Sequence, residues 1–254
     1  MQRRLFTELQ YLMATPPALI GRPPLYRVVR VLVFLTISLV IVAGFLRDIP
    51  RLSIIEESAR SLYFHVPMWF TLMGATLVSA YHSMQYLRTG NVVRDIRARE
   101  AARLAIVFGV LGLITGMVWA RFTWYEGTGK WWNWDPKQSM AAVLMLIYAA
   151  YFVLRDSIES DATRGRLAAV YNLFAFATMP FLLYILPRQM TSLHPGAEGS
   201  PALSQTDLAP SMRWIFYPSV LAFFGLFWML YTQRVRLAVI AWRERASGLL
   251  SSIR

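Results

Sequence analysis

Two histidines, His65 and His194, are the residues of this chain best suited to binding a metal. His65 lies in the stretch YFHVP and His194 in the stretch SLHPG. A neutral imidazole suits several transition metals, haem iron among them. Taken singly, each histidine could also be an ordinary polar residue, bonded to a neighbouring helix or exposed in a loop. If the fold brings the two histidines together, they are candidate axial ligands for a haem iron.

A tryptophan-rich stretch is the second feature that could take part in binding or chemistry. Residues 121–137 read RFTWYEGTGKWWNWDPK and hold four of the nine tryptophans of the chain. Trp131, Trp132 and Trp134 crowd beside Asp135, and the glycines and proline of the stretch argue against a regular helix. Indole faces stack on flat aromatic ligands, and their N–H groups donate hydrogen bonds that Asp135 could accept. The alternatives are a membrane-interface belt and a simple Asp-Pro turn.

Six apolar runs must position these residues. Hydrophobic residues make up 56% of the chain and charged residues only 16%. Because each run is about long enough to cross a bilayer core as a helix, we predict an all-α integral membrane protein with six transmembrane helices. The runs are Val28 to Leu46, Ser61 to Leu87, Leu104 to Ala120, Gln138 to Leu154, Leu167 to Pro187 and Trp214 to Gln233.

The basic residues predict the orientation of these helices. Of the 26 lysines and arginines, 18 lie in the N-terminal part, the second and fourth connections and the tail, and 8 lie in the other three connections. By the positive-inside rule, both termini are then cytoplasmic. We predict a single membrane domain over residues 1–254. Its parts outside the membrane are a basic cytoplasmic arm over 1–26, outer loops over 47–60, 121–137 and 188–213, and a cytoplasmic tail over 234–254.

This topology predicts that distant residues meet at the outer face. His65 would lie just inside the outer end of the second helix, while the tryptophan-rich stretch and His194 belong to outer loops. The third histidine, His82, comes 17 residues after His65. That separation is about 25 Å along a helix that rises 1.5 Å per residue. We therefore expect His82 to have a structural role at the cytoplasmic end.

Two basic residues at the same face could bind the propionates of a porphyrin. Carboxylates pair with cations, and guanidinium and ammonium groups both serve. Arg60 is close to His65 in sequence, and Lys137 is close to the tryptophan cluster. The alternative for either residue is a plain interfacial anchor.

Composition excludes several other functions. The chain has no cysteine, which rules out a disulfide framework, a Cys-rich zinc site, a thiol-redox site and a CxxCH attachment motif. Any haem would therefore be a non-covalent haem b. The net charge of +12 could suit nucleic acid, but the basic residues alternate between apolar runs as an orientation signal does. A phosphate-binding loop and an HExxH helix are also missing.

These residues resemble the haem-handling membrane proteins that carry a tryptophan-rich WWD signature, and within them the CcmC family. The resemblance rests on the stretch RSLYFHVP over 60–67, the stretch WWNWD over 131–135, the spacing of Trp119 and Trp124, and His194 after leucine. It covers nearly the whole chain. It implies that His65 and His194 are the axial haem ligands. The other residues then expected at the haem are Trp119, Trp124, Trp131, Trp132, Trp134, Asp135, Arg60 and Lys137.

The resemblance also implies a function. Members of the family bind haem at the periplasmic face of the bacterial inner membrane and deliver it to a periplasmic chaperone during the maturation of c-type cytochromes. The implied partners are a CcmE-like chaperone, a CcmA/CcmB-like ABC transporter, a CcmD-like small membrane protein and the lipid bilayer. No covalent catalytic residue is visible in the sequence, so we expect binding and transfer rather than catalysis.

Two alternatives stay open because the chain departs from the CcmC pattern. Pro136 and Lys137 follow Asp135, as in the related CcsA and CcmF synthases, and the segment between Trp124 and Trp131 is longer than in CcmC. One alternative is therefore a component of a cytochrome c haem lyase. The other is a permease for haem or a small solute, for which the sequence offers no polar path through the membrane.

Overall fold

The architecture is a bundle of long helices. The computed structural model describes residues 24–50, 56–124, 130–194 and 208–251, and within these ranges it contains no β-strand. The sequence-derived cytoplasmic arm lies largely outside the described residues, as do parts of all three predicted outer loops. The helices are α1 Pro24–Leu46, α2 Leu62–Thr89, α3 Val92–Thr123, α4 Pro136–Asp156, α5 Asp161–Pro180, α6 Leu186–Arg188 and α7 Pro210–Ser251.

Five helical segments are long and apolar enough to cross a membrane. They cover Tyr26–Leu46, Val92–Thr123, Pro136–Asp156, Asp161–Arg188 and Pro210–Gly248. Helix α2, the second of the six predicted spans, has 28 residues but falls outside this set. The cause is its composition, because polar side chains lower its mean hydropathy. Several of them are buried, including Thr71, Thr76, Ser79, His82 and Ser83.

Helix α2 packs at the centre of the bundle, against α3, α5 and α7. Two of its serines are paired inside the protein: the Asn172 amide of α5 donates to the hydroxyls of Ser79 and Ser83 at 2.7 and 2.8 Å. Ser79 in turn donates to the carbonyl of Ala98 on α3 at 2.7 Å. Because polar groups in a bilayer must find partners within the protein, this pairing explains how a less apolar helix can occupy the middle of the bundle.

Several helices are longer than the apolar runs that predicted them. Helix α3 begins at Val92 rather than near Leu104, and α7 continues to Ser251. The extensions are held by charge: the carboxylate of Glu100, only 1% exposed, accepts from Arg99, Arg103 and Arg234. Hydropathy alone does not predict the extension of α3, because residues 92–103 include several charged side chains.

The chain reaches His194 through an irregular helix. After Pro180, α5 passes into a π-helical turn, Phe181–Ile185, and then into the short α6. A proline removes one backbone hydrogen bond, and a π-helical turn is a common local response to such a disruption. This turn carries Tyr184 and, with α6, leads to the segment that contains His194.

An ion pair joins α3 to α4 at the end of the bundle that contains His82. Arg155 donates to both carboxylate oxygens of Asp95 at 2.7 Å and to the hydroxyl of Tyr151 at 3.3 Å. The side chain of Arg155 is 5% exposed and that of Asp95 is 15% exposed. A bidentate pair of this kind fixes the relative register of two helices.

We predict that Asp95→Ala lowers the free energy of unfolding by about 3 kcal/mol, because it leaves a buried guanidinium without its partner. The measurement is thermal unfolding of the purified protein in detergent, followed by circular dichroism. The matched control is Asp161→Ala, which removes a carboxylate that is 87% exposed and paired with Arg164. Equal losses in the two variants would contradict the structural importance of the buried pair.

Candidate functional site

The tertiary structure brings His65 and His194 together. His65 extends from the first turn of α2, and His194 follows α6 after a short non-helical segment. Their ring centroids are 6.2 Å apart and their planes are inclined by 39°. His65 is 5% exposed. Two imidazoles that are remote in sequence therefore line one partly enclosed space.

The spacing of the two rings suits a shared metal ion. Metal–imidazole nitrogen bonds are about 2.0 Å long, so two rings on opposite sides of one ion have centres roughly 6 Å apart. Within the described ranges, no group of three or more His, Cys, Asp or Glu side chains gathers as a metal-binding cluster. The arrangement therefore matches a site with two imidazole ligands, in which the remaining ligands come from elsewhere.

Two tryptophans pack against this histidine pair. The Trp119 ring lies 6.0 Å from the His65 ring and 6.2 Å from the His194 ring, in edge-on contacts of 70° and 72°. Its indole N–H donates to the hydroxyl of Ser58 at 3.1 Å, which fixes its orientation. Trp69 makes a similar edge contact with His65 at 6.3 Å.

Trp69 was not among the predicted site residues, because a single tryptophan near a helix end is typical of the membrane interface. The signal that could have found it is its spacing of four residues from His65. Residues four apart share one helix face, so both side chains project toward α3.

Helix α3 offers a glycine surface to both rings. A Cβ atom at Gly116 would stand 2.9 Å from Cε1 of His65, and one at Gly112 would stand 2.9 Å from the Trp69 ring. Glycines four residues apart commonly let two membrane helices pack closely, and here they make room for aromatic side chains. Any larger residue at Gly116 would have to displace the imidazole.

Thr115, between these two glycines, hydrogen-bonds to His65. Its hydroxyl oxygen lies 3.0 Å from Nδ1 of His65, and 2.9 and 3.1 Å from the carbonyl oxygens of Leu111 and Gly112. Sequence analysis missed Thr115, because a threonine in an apolar helix ordinarily bonds its own backbone and carries no distinct signal.

Asp135 joins the tryptophan-rich loop to the segment that presents His194. Its carboxylate caps α4 by accepting from the backbone N–H of Lys137 at 2.9 Å. It also accepts from the Ser192 hydroxyl at 2.9 and 3.1 Å and from the Leu193 N–H at 2.8 Å. Ser192 then accepts from the N–H of His194 at 3.1 Å. The partners of Asp135 are thus backbone and hydroxyl groups, where the sequence had suggested indole donors.

The three clustered tryptophans lie beside the cavity rather than in its wall. Trp131 is 52% exposed and Trp134 is 80% exposed, and the rings of Trp132 and Trp134 meet edge to face at 6.0 Å. Trp134 also has a positive φ of 55°, a strained conformation for a bulky residue. Trp124, by contrast, lines the cavity. The structure describes no part of 125–129, which completes this loop.

The two predicted propionate-binding cations occupy different places. The Lys137 ammonium lies in the cavity wall, 3.4 Å from Nδ1 of His194. Arg60 instead pairs with Glu57 at 2.7 Å and donates to the carbonyl oxygens of Gly44 and Arg47, and it is not part of the cavity lining. A haem contact by Arg60 therefore stays a prediction, while its present bonds hold the end of α1 against the 3-10 turn Glu56–Ser61.

The cavity between these residues is apolar and holds about 130 Å³. Pockets that enclose ligands of drug size usually have roughly 300–1,000 Å³. A group as large as a porphyrin therefore needs either an exposed edge or a shift of the surrounding helix ends. The donor set nonetheless fits haem, with two imidazoles, aromatic walls and one cation. The remaining walls include Val66, Phe70, Met73, Leu113, Ala120, Ala141, Leu183 and Tyr184.

His82 lies near the other end of α2, apart from this cavity. Its Nδ1 is 3.3 Å from the guanidinium of Arg94, and its ring packs on Tyr81. This position agrees with the helical separation from His65, and the structural role of His82 stays a prediction.

Comparisons with known proteins show one family over most of the chain and a local likeness to a second kind of protein. The family model described as heme exporter protein C, CcmC, matches residues 18–249. The heme exporter protein C of Paracoccus denitrificans is 27% identical over 194 residues, which cover 76% of this chain and 78% of that protein. The corresponding protein of Rhodobacter capsulatus is 29% identical over 74% and 76% of the two chains. The cytochrome c biogenesis protein CcsA of Prochlorococcus marinus is 44% identical over 73 residues, covering 27% of this chain and 22% of that protein.

The fold and the site define a helical membrane protein with an imidazole pair at one end of its bundle. Because the family model covers most of the chain, the chain belongs to the heme exporter protein C family, CcmC. The resemblance seen in the sequence is thereby confirmed.

We predict that Asp135→Asn releases the segment that carries His194, because an amide cannot replace a carboxylate as acceptor for three donors at once. Hydrogen exchange of the Leu193 amide, measured by mass spectrometry on the purified protein, should become at least about tenfold faster, since about 1.4 kcal/mol is lost with a charged hydrogen bond. The control is Asp156→Asn at an exposed position. Unchanged exchange at Leu193 would contradict the clamp.

Proposed function

We propose that this protein binds haem b non-covalently between His65 and His194 and passes it to a periplasmic CcmE-like chaperone during c-type cytochrome maturation. The observation that carries the proposal is the imidazole pair at 6.2 Å in an aromatic cavity, in a chain of the heme exporter protein C family. The chain has no cysteine, so its own contribution to haem binding is coordination and packing.

Each part of the site has a distinct task in this proposal. The imidazoles of His65 and His194 hold the iron, and Trp69, Trp119 and Trp124 cover the porphyrin and limit the access of water. Lys137 supplies the nearest cation for a propionate. Haem, when bound, supplies an iron that can exchange one axial imidazole for another, which is the chemistry a handover needs.

The cavity is only partly enclosed, which suits delivery rather than storage, because a second protein could reach the edge of a bound porphyrin. Trp131 and Trp134 are exposed on the loop that leads through Asp135 to Lys137, and Lys137 lines the cavity. We propose that these two side chains meet the chaperone or the haem edge during transfer, and that CcmA/CcmB-like and CcmD-like proteins join the assembly.

We further propose that α2 is a sixth span, within one membrane domain, and that the cavity opens to the periplasm with both termini in the cytoplasm. Helix α2 has 28 residues, long enough to cross a bilayer, and Asn172 of α5 bonds to two of its buried hydroxyl groups. The end of the bundle that contains His82 also carries the basic connections near Arg94 and Arg164. We propose the inner membrane of a bacterium as the location of this protein.

The absence of native cysteine makes the topology directly testable. In intact spheroplasts, an impermeant maleimide should label Asp48→Cys and Met190→Cys but not Thr89→Cys or Ser157→Cys. All four positions are exposed. Labelling of Thr89→Cys together with Asp48→Cys, before permeabilisation, would contradict a spanning α2. Permeabilised cells provide the control, since all four variants should then react.

We expect His65→Ala and His194→Ala to lose the bis-histidine spectrum of the purified protein and at least about tenfold in haem affinity, because each removes an iron ligand. Haem content is measured by pyridine haemochrome and affinity by spectral titration. His82→Ala is the matched control and should resemble the wild type. Equal haem content and unchanged spectra in all three variants would refute the ligand assignment.

A haem lyase component is the second candidate, favoured by the local 44% identity to CcsA and by the Asp135-Pro136-Lys137 sequence. A lyase would attach haem to an apocytochrome through thioether bonds. Reconstitution with haem, reductant and a CxxCH apocytochrome separates the two functions. Thioether formation without a chaperone would favour the lyase, whereas transfer only to a CcmE-like chaperone supports delivery.

A further inference from the structure

The two candidate ligands differ in what their Nδ1 atoms contact. Nδ1 of His65 faces the hydroxyl of Thr115 at 3.0 Å, whereas Nδ1 of His194 faces the ammonium of Lys137 at 3.4 Å. An ammonium group only donates hydrogen bonds, so Nδ1 of His194 acts as an acceptor there. The hydroxyl of Thr115 can donate or accept, and its other bonds decide which.

Thr115 also hydrogen-bonds to two backbone carbonyl groups of its own helix. Its oxygen lies 2.9 Å from the carbonyl oxygen of Leu111 and 3.1 Å from that of Gly112. A carbonyl oxygen can only accept, so Thr115 is the donor to these two groups. The distribution of protons that satisfies all three contacts at once has the oxygen of Thr115 accept at the third contact, from a proton on Nδ1 of His65.

A neutral imidazole carries one proton, so a proton on Nδ1 leaves the lone pair on Nε2. We propose that Thr115 is a positioning residue that holds His65 in the Nδ1–H tautomer and so presents Nε2 as its metal-binding nitrogen. The importance of this tautomer for haem binding rests on the proposed function, in which His65 is an iron ligand. The tautomer itself is a property of the haem-free protein.

The surroundings of His65 keep this arrangement in place. His65 is 5% exposed, so water does not compete for Nδ1. Gly116 lets the ring approach α3, with Cε1 only 2.9 Å from where a Cβ would stand, and the Trp69 and Trp119 rings flank it edge-on. Metal-binding histidines generally donate their second N–H to such an acceptor, which orients the ring and raises its basicity.

The direct test reads the tautomer without haem. The chain contains only three histidines, so nitrogen NMR of protein labelled with 15N-histidine can assign His65 by comparison with His65→Ala. We expect a protonated Nδ1 and a bare Nε2 for His65 in the wild type and in Thr115→Ser. In Thr115→Val and Thr115→Ala this preference should weaken or reverse. A His65 ring protonated on Nε2 in the wild type would overturn the proposal.

The functional test compares haem binding in the same variants. Thr115→Val should bind haem about 10–100-fold more weakly, with a more positive reduction potential because the imidazole becomes a poorer electron donor. Thr115→Ser keeps the hydroxyl and should stay close to the wild type, and Thr115→Ala replaces Thr115→Val if the latter does not fold. Thr178→Val is the control, since Thr178 also bonds a backbone carbonyl of its own helix.

The outcomes separate this inference from the proposed function. If His65→Ala loses haem while Thr115→Val and Thr115→Ala bind as the wild type does, the ligand role stands and the role of Thr115 falls. If Thr115→Ser binds as weakly as Thr115→Val, packing rather than the hydroxyl matters, and the proposal is again wrong. If His65→Ala keeps full affinity, the proposed function fails, while the NMR result still decides the tautomer.

Discussion

The buried carboxylate of Asp135 is the constraint on which the rest of the site depends. It is 5% exposed and accepts hydrogen bonds from α4, from Ser192 and from the backbone of Leu193. A carboxylate at such burial needs several hydrogen-bond donors, and it is held firmly to the groups that supply them. The tryptophan-rich loop and the segment that carries His194 are therefore held as one unit at the start of α4.

A second constraint acts from within the bundle. Helix α2 carries His65 and Trp69 on a face that packs on the glycines of α3, while its opposite half is held by the hydrogen bonds of Ser79, Ser83 and Asn172. Interior hydrogen bonds in a membrane helix specify its rotation, since a turn about the axis would leave polar groups unsatisfied. The direction in which His65 points is thus determined partly by residues more than three helical turns away.

Together, these two constraints give the histidine pair an asymmetric setting. His65 sits on a rigid helix and is bonded to Thr115, whereas His194 sits on a short non-helical segment that depends on Asp135 and lies beside Lys137. The two donors are thus held in different ways, one by a helix and the other by hydrogen bonds of a non-helical segment to Asp135 and Ser192. This arrangement agrees with the proposed handover, in which one axial position is exchanged.

The sequence by itself determined the helical membrane class, the family and the residues that form the site region. Apolar runs report where helices form, and the histidine and tryptophan motifs are visible as letters. It did not determine the helix ends, because Glu100 stabilises the start of α3 through arginines on two helices. The contacts of Asp135 with Ser192 and Leu193, the contact of Thr115 with His65 and the position of Trp134 outside the cavity are visible only in the folded chain. Each is a contact between distant segments or a side-chain direction, and neither is encoded in local periodicity.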